Sequence, residues 1–291
     1  TISNGDTAIL AGLTETGNAY TVTVTDASVA ASALNTLNAK TTVPITVTST
    51  TINGTFADVN TVYAAGANGT ILGLGNEAIT ITAPLTVAQF NTLAAQTTGL
   101  ITATIIEGNI ATLSGLTETG HALLINVTDA SVAASALNTL NSKTTVAVNS
   151  TAVTTITGAA ADINTAYTSN AAGTITGLGN EAITISDNIT VAQANVISAF
   201  TTGVVTATIS DGDTAILAGL NETGNAYTVT VTDTTATGLS LTQLDAKTTV
   251  AVNATAVTTI TGTLAQVDAA LDANAAGTIT GLGDVAVTYT G

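Results

Sequence analysis

A long internal repeat constrains this chain more than any other feature. A lysine followed by Thr-Thr recurs at spacings of 103 and 104 residues, at Lys40, Lys143 and Lys247. The tripeptide Gly-Leu-Gly recurs at spacings of 104 residues, at 73–75, 177–179 and 281–283. Repetition over a whole chain is typical of stacked architectures, in which each unit buries its apolar face against the next. We therefore divide the chain into copy 1 (1–98), copy 2 (99–202) and an incomplete copy 3 (203–291).

Each copy divides again into four pieces, in which a strand pattern precedes a helix pattern. In copy 2 the predicted strand segments are 100–106, 122–128, 146–157 and 173–186, the last two being pairs of short strands. The predicted helices are 110–117, 131–142, 160–169 and 191–200. Asp129 is the expected N-cap of the second helix. Gly120 is the expected residue after the end of the first helix, as Gly17 and Gly224 are in the other copies.

These predictions rest on two periodicities. Residues 21–25 alternate threonine and valine, which predicts a strand with one apolar face. Val87, Phe90, Leu93 and Ala94 share one face at helical spacing. Helices this short are marginal alone, so they must dock on the strands.

Alternating strands and helices favour parallel strands joined by helical returns. We therefore predict an α/β fold: a repetitive, continuous solenoid of short parallel strands and short helices, with four β-α pieces in each long repeat of about 104 residues. The alternative is a set of separate domains of about 100 residues. The absence of Pro- or Gly-rich linkers between the copies favours the solenoid, since the whole chain has only 2 prolines.

Composition excludes several classes of function. The net charge is −16, with 3 lysines and no arginine, so the surface repels phosphate backbones and nucleic-acid binding is not expected. No apolar run reaches membrane-spanning length, so we expect no membrane insertion. Aromatic residues are 3% of the chain although hydrophobic residues are 45%, so the core must consist of Val, Ile, Leu and Ala. Cys is absent, which rules out disulfides.

Three acidic turns are the candidate metal sites, at 4–6, 107–109 and 211–213. Oxygen ligands around a glycine turn suit Ca²⁺, and Asp6, Asp211 and Asp213 would be the ligands. The same residues precede helices, and we favour the interpretation that they are helix caps. None of the turns matches an EF-hand or a glycine-rich calcium nonapeptide. We expect no other cofactor.

No catalytic constellation is present. His121 is the one histidine, and Asn18 and Asn225 stand in its place in the other copies. With no Cys and one His, zinc sites and Ser-His or Cys-His mechanisms lack their parts. The Gly-Leu-Gly sequences lack the third glycine of a dinucleotide fingerprint and are better explained as bends between strands. We predict that the protein is not an enzyme.

Two polar patterns recur outside the acidic turns. An Asn or Asp follows an apolar helix residue repeatedly, which predicts a ladder of side chains that bond backbone groups of adjacent turns, at 60, 91, 141, 164, 245 and 268. Thr-x-Thr runs recur in the strands, as at 21–25 and 102–104. Flat rows of this kind are similar to those of ice-binding β-solenoids, although threonine also suits any exposed strand face.

The chain as a whole resembles the Thr-, Val- and Asp-rich tandem repeats of very large bacterial, especially cyanobacterial, cell-surface proteins. The resemblance rests on the segment 26–42, with its Leu-Asn-Thr-Leu-Asn-x-Lys-Thr-Thr, on Thr-Thr-Ile-Thr-Gly (154–158) and on Gly-Thr-Ile-Thr-Gly-Leu-Gly. It implies a secreted, acidic, Cys-free surface or filament protein. The glycine-rich calcium nonapeptides of that family are missing here.

We therefore expect a non-enzymatic extracellular structural repeat protein of bacterial origin, a building block of a surface layer (S-layer), filament or adhesin stalk. The alternative is a repeat module that binds calcium, glycan or ice through one face of the solenoid. The sequence starts and stops within strand patterns. It should therefore belong to a longer array or self-associate through its ends or neighbouring repeats.

Overall fold

Short parallel strands alternate with short helices along residues 1–290, which are the residues that the computed structural model describes. They form 20 strands and 11 helices. The fold is therefore α/β, with several small parallel sheets, as predicted. The chain divides into two compact units, unit 1 (Thr1–Thr128 and Thr139–Asn149) and unit 2 (Asp129–Asn138 and Ser150 onwards).

Unit 1 contains the first half of the elements. Its strands are β1 (Thr23–Val24), β2 (Ser28–Ala30), β3 (Ile45–Val47), β4 (Thr51–Gly54), β5 (Ile71–Leu72), β6 (Ala78–Ile81), β7 (Ile101–Thr104), β8 (Ala122–Leu124) and β10 (Val148–Asn149). Its helices are α1 (Thr7–Leu10), α2 (Ala31–Asn38), α3 (Phe56–Ala67), α4 (Val87–Ala94) and α5 (Ile110–Leu113). Helix α6 (Ala134–Asn141) contributes residues to both units.

Unit 2 contains the remaining elements. Its strands are β9 (Ser131–Ala133), β11 (Thr155–Gly158), β12 (Ile175–Thr176), β13 (Ala182–Ile189), β14 (Val205–Ile209), β15 (Ala226–Thr228), β16 (Thr235–Thr237), β17 (Val252–Asn253), β18 (Thr259–Gly262), β19 (Ile279–Thr280) and β20 (Ala286–Tyr289). Its helices are α7 (Ala160–Ala171), α8 (Val191–Ser198), α9 (Thr214–Leu217), α10 (Gly238–Asp245) and α11 (Leu264–Ala276).

The largest sheet of each unit has five strands, in the order β2-β4-β6-β7-β8 in unit 1 and β9-β11-β13-β14-β15 in unit 2. All neighbouring strands in these two sheets are parallel. Unit 1 also has the sheet β1-β3-β5, and unit 2 has β16-β18-β20 and β17-β19. In both five-stranded sheets the chain therefore adds each new strand beside an earlier one, always in the same direction.

The core of each unit is a ladder of aliphatic side chains across the five-stranded sheet. In unit 1 the residues Val29, Ile52, Ile79 and Ile101 pair in succession from strand to strand, and all are buried. Fully burying such a side chain contributes about 1.5–3 kcal/mol, and the repeat places one on each successive strand. In the sheet that contains β1, Val22 and Val24 are buried beside exposed threonines, which confirms the predicted alternation of residues 21–25.

Helix α4 confirms the helical prediction, because Val87, Phe90 and Leu93 are buried on one face. Its N-terminus has a capping box, in which the Thr86 side chain bonds the N–H of Gln89 and the Gln89 side chain bonds that of Thr86. The helix therefore begins where its sequence satisfies the free amides.

Two local predictions were wrong. Residues 131–133 form strand β9 and not the first turn of a helix, so Asp129 does not N-cap α6, which begins at Ala134. The segment Ser131–Ala133 pairs with β11, and this ladder outweighs its weak helix preference. The first helix of copy 2, α5, has four residues and ends at Leu113. Gly120 therefore does not terminate it, but adopts φ +81° in the loop before β8.

Candidate functional site

The acidic turns use their carboxylates to cap helices. The Asp6 side chain accepts a hydrogen bond from the N–H of Ala8 at 2.8 Å, and that of Asp213 accepts from Ala215 at 2.8 Å. These two residues are the N-caps of α1 and α9. The Asp211 carboxylate accepts from the N–H of Val191, the first residue of α8, at 2.7 Å. Asp211 and Asp213 share one turn of unit 2, whereas Asp6 belongs to unit 1, so the predicted ligands do not form one cluster within a unit.

A second set of carboxylates accepts hydrogen bonds from the first residues of helices that lie 19 to 27 residues earlier in the chain. Asp233 accepts from the N–H of Thr214 at 2.7 Å, and Asp187 accepts from that of Ala160 at 2.9 Å. Asp26 accepts from both the hydroxyl and the N–H of Thr7, at 2.7 and 2.8 Å. These two bonds lower the pKa of Asp26 below its ordinary value. A negative charge at a helix N-terminus is favourable, so these carboxylates stabilise the helices that they contact.

The three lysines make one repeated contact. Lys40 Nζ donates to the carbonyl of Thr14 at 3.4 Å, Lys143 Nζ to that of Thr117 at 3.3 Å, and Lys247 Nζ to that of Asn221 at 3.0 Å. Each carbonyl precedes its lysine by the same interval and lies in the loop that follows a four-residue helix. The lysines therefore satisfy free backbone carbonyls of the preceding strand–helix piece.

Asparagine side chains connect adjacent turns, as predicted, but mostly at other positions. Asn91 Nδ2 donates to the carbonyl of Gly115 at 2.7 Å, and its Oδ1 accepts from the N–H of Thr117 at 3.1 Å. Asn195 makes the equivalent pair of bonds in unit 2. Among the other predicted positions, Asn60 and Asp245 accept from side chains instead. Sequence reasoning did not select three further asparagines that donate to backbone carbonyls 23 or 24 residues further along the chain, which are Asn35, Asn138 and Asn195.

A buried tyrosine–glutamate pair occurs once in each unit, and sequence reasoning missed it. Tyr63 donates to Glu77 Oε2 at 2.9 Å, and Tyr167 donates to Glu181 Oε2 at 2.7 Å. A glycine N–H donates to the same oxygen at 2.8 Å in both units. Burial, with the nearby carboxylate, raises the pKa of both tyrosines, so the hydroxyl stays a donor. The sequence could have indicated this pair, because Glu follows Tyr by 14 residues in both copies.

His121 acts as a hydrogen-bond acceptor. Its Nδ1 accepts from the N–H of Ile101 at 3.1 Å, and Asn225 Oδ1 accepts from that of Val205 at 2.8 Å in unit 2. The ring packs edge-on against Phe90, with centroids 5.3 Å apart. Burial lowers the pKa of His121, and Glu118 opposes this effect. Histidine and asparagine therefore have the same structural role in the two units.

The Gly-Leu-Gly sequences are bends between strands, as predicted. In unit 1 the bend joins β5 to β6, and Gly73 adopts φ +87°. A Cβ on Gly73 would lie 2.3 Å from the carbonyl oxygen of Val47, so no other residue fits this close approach.

The outer face of the five-stranded sheets carries exposed threonines in register. Thr80 pairs with Thr102 in unit 1, and Thr184 pairs with Thr206 in unit 2. These four side chains are exposed, while their strand neighbours in the aliphatic ladder are buried.

No family model, curated protein or solved structure matches this chain. Within residues 1–290, no group of three or more His, Asp or Glu side chains is placed to hold a metal ion. No helix of that range is long and apolar enough to cross a membrane.

Proposed function

We propose that this chain is a non-enzymatic extracellular structural repeat protein of bacterial origin, a building block of a surface layer, filament or adhesin stalk. The observation that carries the proposal is the use of its polar side chains. Carboxylates, lysines and asparagines of each unit bond the backbone of the neighbouring turn, at Val191, Thr117 and Gly219 among others. Because these side chains hydrogen-bond the backbone of the protein itself, they support a structural role rather than a catalytic one.

The finer architecture that we propose is a solenoid built from the long sequence repeat. Two observations within the units support it. The ladder pairs Ile52–Ile79 and Ile79–Ile101 of unit 1 recur in unit 2, as Ile156–Ile183 and Ile183–Val205. The lysine contact recurs with the same step along the chain in all three copies. Stacked strand–helix pieces of this kind suit a load-bearing element.

Self-association is part of this proposal. The edge strand β20 leaves Val287 37% and Tyr289 58% exposed. At the equivalent positions of β13, Ile183 and Ile185 are buried, and there strand β14 pairs alongside. An exposed apolar strand edge favours addition of a further strand, either from another copy or from a following repeat of a longer array.

Negative-stain electron microscopy of the protein from its native source tests the structural proposal. We expect filaments or ordered arrays with a regular axial repeat. Isolated particles at every concentration and salt level would contradict it.

The alternative function, ligand binding through one face, is supported by the threonine rows of the five-stranded sheets. Thr80 and Thr102 present hydroxyls and methyls in register on an exposed surface. If this face binds ice, the protein should produce thermal hysteresis, and Thr102→Lys should abolish it. If it binds a glycan, a glycan array should show saturable binding that the same substitution removes.

A further inference from the structure

Unit 1 contains a cleft of about 410 Å³ between helix α3 and the loop 73–75. Its lining combines apolar side chains such as Ile71 with polar groups of Tyr63, Gln96 and the loop backbone. Gly66 of helix α3 and Leu74 of the loop both line the cleft, and the Leu74 side chain lies against Gly66.

In unit 2 an asparagine occupies the position of Gly66. Asn170 Nδ2 donates to the carbonyl of Leu178 at 3.3 Å, and its Oδ1 accepts from the N–H of the same residue at 3.2 Å. The primary carboxamide of Asn170 therefore makes two hydrogen bonds to the backbone of a single residue, Leu178. Asn274, one repeat further on, also accepts from the backbone, here the N–H of Leu282 at 3.0 Å.

Unit 1 lacks this side chain but keeps the backbone that would receive it. Leu74 corresponds to Leu178, and its backbone N–H and C=O have no hydrogen-bond partner among residues 1–290. Gln96 stands where unit 2 has Phe200, which stacks on Tyr167 with centroids 5.1 Å apart. The Oε1 atom of Gln96 is buried and also has no hydrogen-bond partner within that range. Two residue differences therefore leave an open cleft beside two unused backbone groups, the N–H and C=O of Leu74.

We propose that this cleft is a binding site for a primary carboxamide, either a small amide or the Asn or Gln side chain of a partner segment. The carboxamide oxygen accepts from the Leu74 N–H, and its amino group donates to the Leu74 carbonyl, as Asn170 does to Leu178. Apolar groups such as Ile71 accommodate the carbon stem of the ligand. For so small a group the dissociation constant should be on the order of millimolar or weaker.

The test uses ¹⁵N-labelled full-length protein titrated with acetamide and followed by NMR. We expect a saturable shift of the Leu74 amide, and no shift of the Leu178 amide, which Asn170 already occupies. N-acetyl-asparagine N-methylamide is the second probe. If this probe binds more tightly than acetamide, the site is supported and its ligand is a side chain of a peptide partner. If the two probes bind equally, the site is supported and its ligand is a free amide. Absence of a saturable shift at Leu74 with either probe would overturn the proposal.

Two exchanged variants provide controls within the same chain. Gly66→Asn should raise the melting temperature and abolish the acetamide response of Leu74. A Cβ at Gly66 would lie 2.9 Å from the Leu74 Cδ1 atom, the far end of a flexible side chain that can rotate away. Asn170→Gly should create an acetamide response at Leu178. A Leu74 response that persists unchanged in Gly66→Asn would contradict the site, even if that variant folds normally.

Discussion

At the residue scale, a buried polar atom without a partner marks a position where one copy departs from the others. Ser49 is buried, and its hydroxyl has no hydrogen-bond partner among residues 1–290. Valine occupies the equivalent positions, Val153 and Val257, and both are buried. An unsatisfied buried hydroxyl costs about 1–3 kcal/mol, so the sister copies hold the more stable residue.

We therefore predict that Ser49→Val increases the free energy of unfolding by about 1 kcal/mol or more, since it removes the unpaired hydroxyl and adds apolar burial. Urea denaturation measures the change. Val153→Ser is the matched control and should lower stability. A destabilised Ser49→Val variant would indicate that the hydroxyl is satisfied by a bound water.

His121 gives a second prediction at this scale, on pH dependence. Its Nδ1 must be unprotonated to accept from Ile101, and burial lowers its pKa below the unfolded value of about 6.5. Between the two pKa values the unfolded state binds more protons, so stability rises with pH. The contribution is complete above pH ~6.5 and is lost as pH falls through the lowered pKa.

His121→Asn should retain the bond, as Asn225 does in unit 2, and remove this part of the pH dependence. Urea midpoints measured from pH 5 to 7.5 should converge for the two proteins at the high end and diverge at the low end. Parallel profiles would show that His121 does not titrate with folding.

At the element scale, helices of four to eight residues depend on contacts outside themselves. Helices α1, α5 and α9 have four residues each, too few to be stable alone in water. Side-chain caps such as Asp6, and carboxylates from the neighbouring turn such as Asp26, satisfy their free N–H groups. The polar contacts between turns are therefore part of what makes these segments helical.

We predict that Asn195→Ala lowers the free energy of unfolding by about 1–2 kcal/mol, because two bonds to the next turn are lost. Asn164→Ala is the control, because Asn164 is exposed and its side chain bonds no residue of 1–290. It should change stability by less than about 0.5 kcal/mol. Equal effects of the two substitutions would mean that the contact between turns contributes nothing.

The acidic turns give a prediction on metal removal. Asp6, Asp211 and Asp213 already bond backbone N–H groups, so a chelator should leave the melting temperature unchanged within about a degree. Calorimetry with and without EDTA makes this measurement. A fall of several degrees that calcium, but not magnesium, reverses would assign these residues as calcium ligands.

At the scale of the whole molecule, charge and an exposed edge act in opposite directions. The net charge of −16 disfavours contact between copies, whereas the apolar face of β20 favours it. Salt screens charges over about 8 Å at physiological ionic strength, so it weakens the repulsion more than the apolar contact. Association should therefore increase with ionic strength.

We predict that light scattering detects oligomers whose size grows with salt, and that Val287→Thr with Tyr289→Thr reduces them at least several-fold. Val196→Thr is the control, since Val196 is exposed on helix α8, which packs on β14. A monomer at all salt concentrations, or equal effects of the control, would contradict association through β20.

The sequence by itself determined the alternation of elements and their class. Period-two threonine and valine in 21–25 and the helical spacing of Val87, Phe90 and Leu93 are local properties. The strand formed only at Thr23–Val24, within its pattern, whereas helix α4 formed over Val87–Ala94. The bends at Gly-Leu-Gly were also predictable, because only glycine tolerates their positive φ. Helix α8 (Val191–Ser198) repeats α4 in copy 2, and the Gly-Leu-Gly bends recur in all three copies, with positive φ at Gly73, Gly177 and Gly281.

Tertiary contacts decided the rest. Residues 131–133 became a strand because β11 offers a ladder partner, and their own preference for either structure is weak. The Tyr63–Glu77 contact, the acceptor role of His121 and the lysine contacts each join residues that are far apart in the chain. Sequence spacing reveals that such residues recur together. Which of their atoms form contacts depends on how successive strand–helix pieces pack against each other, and the sequence pattern alone does not determine that packing.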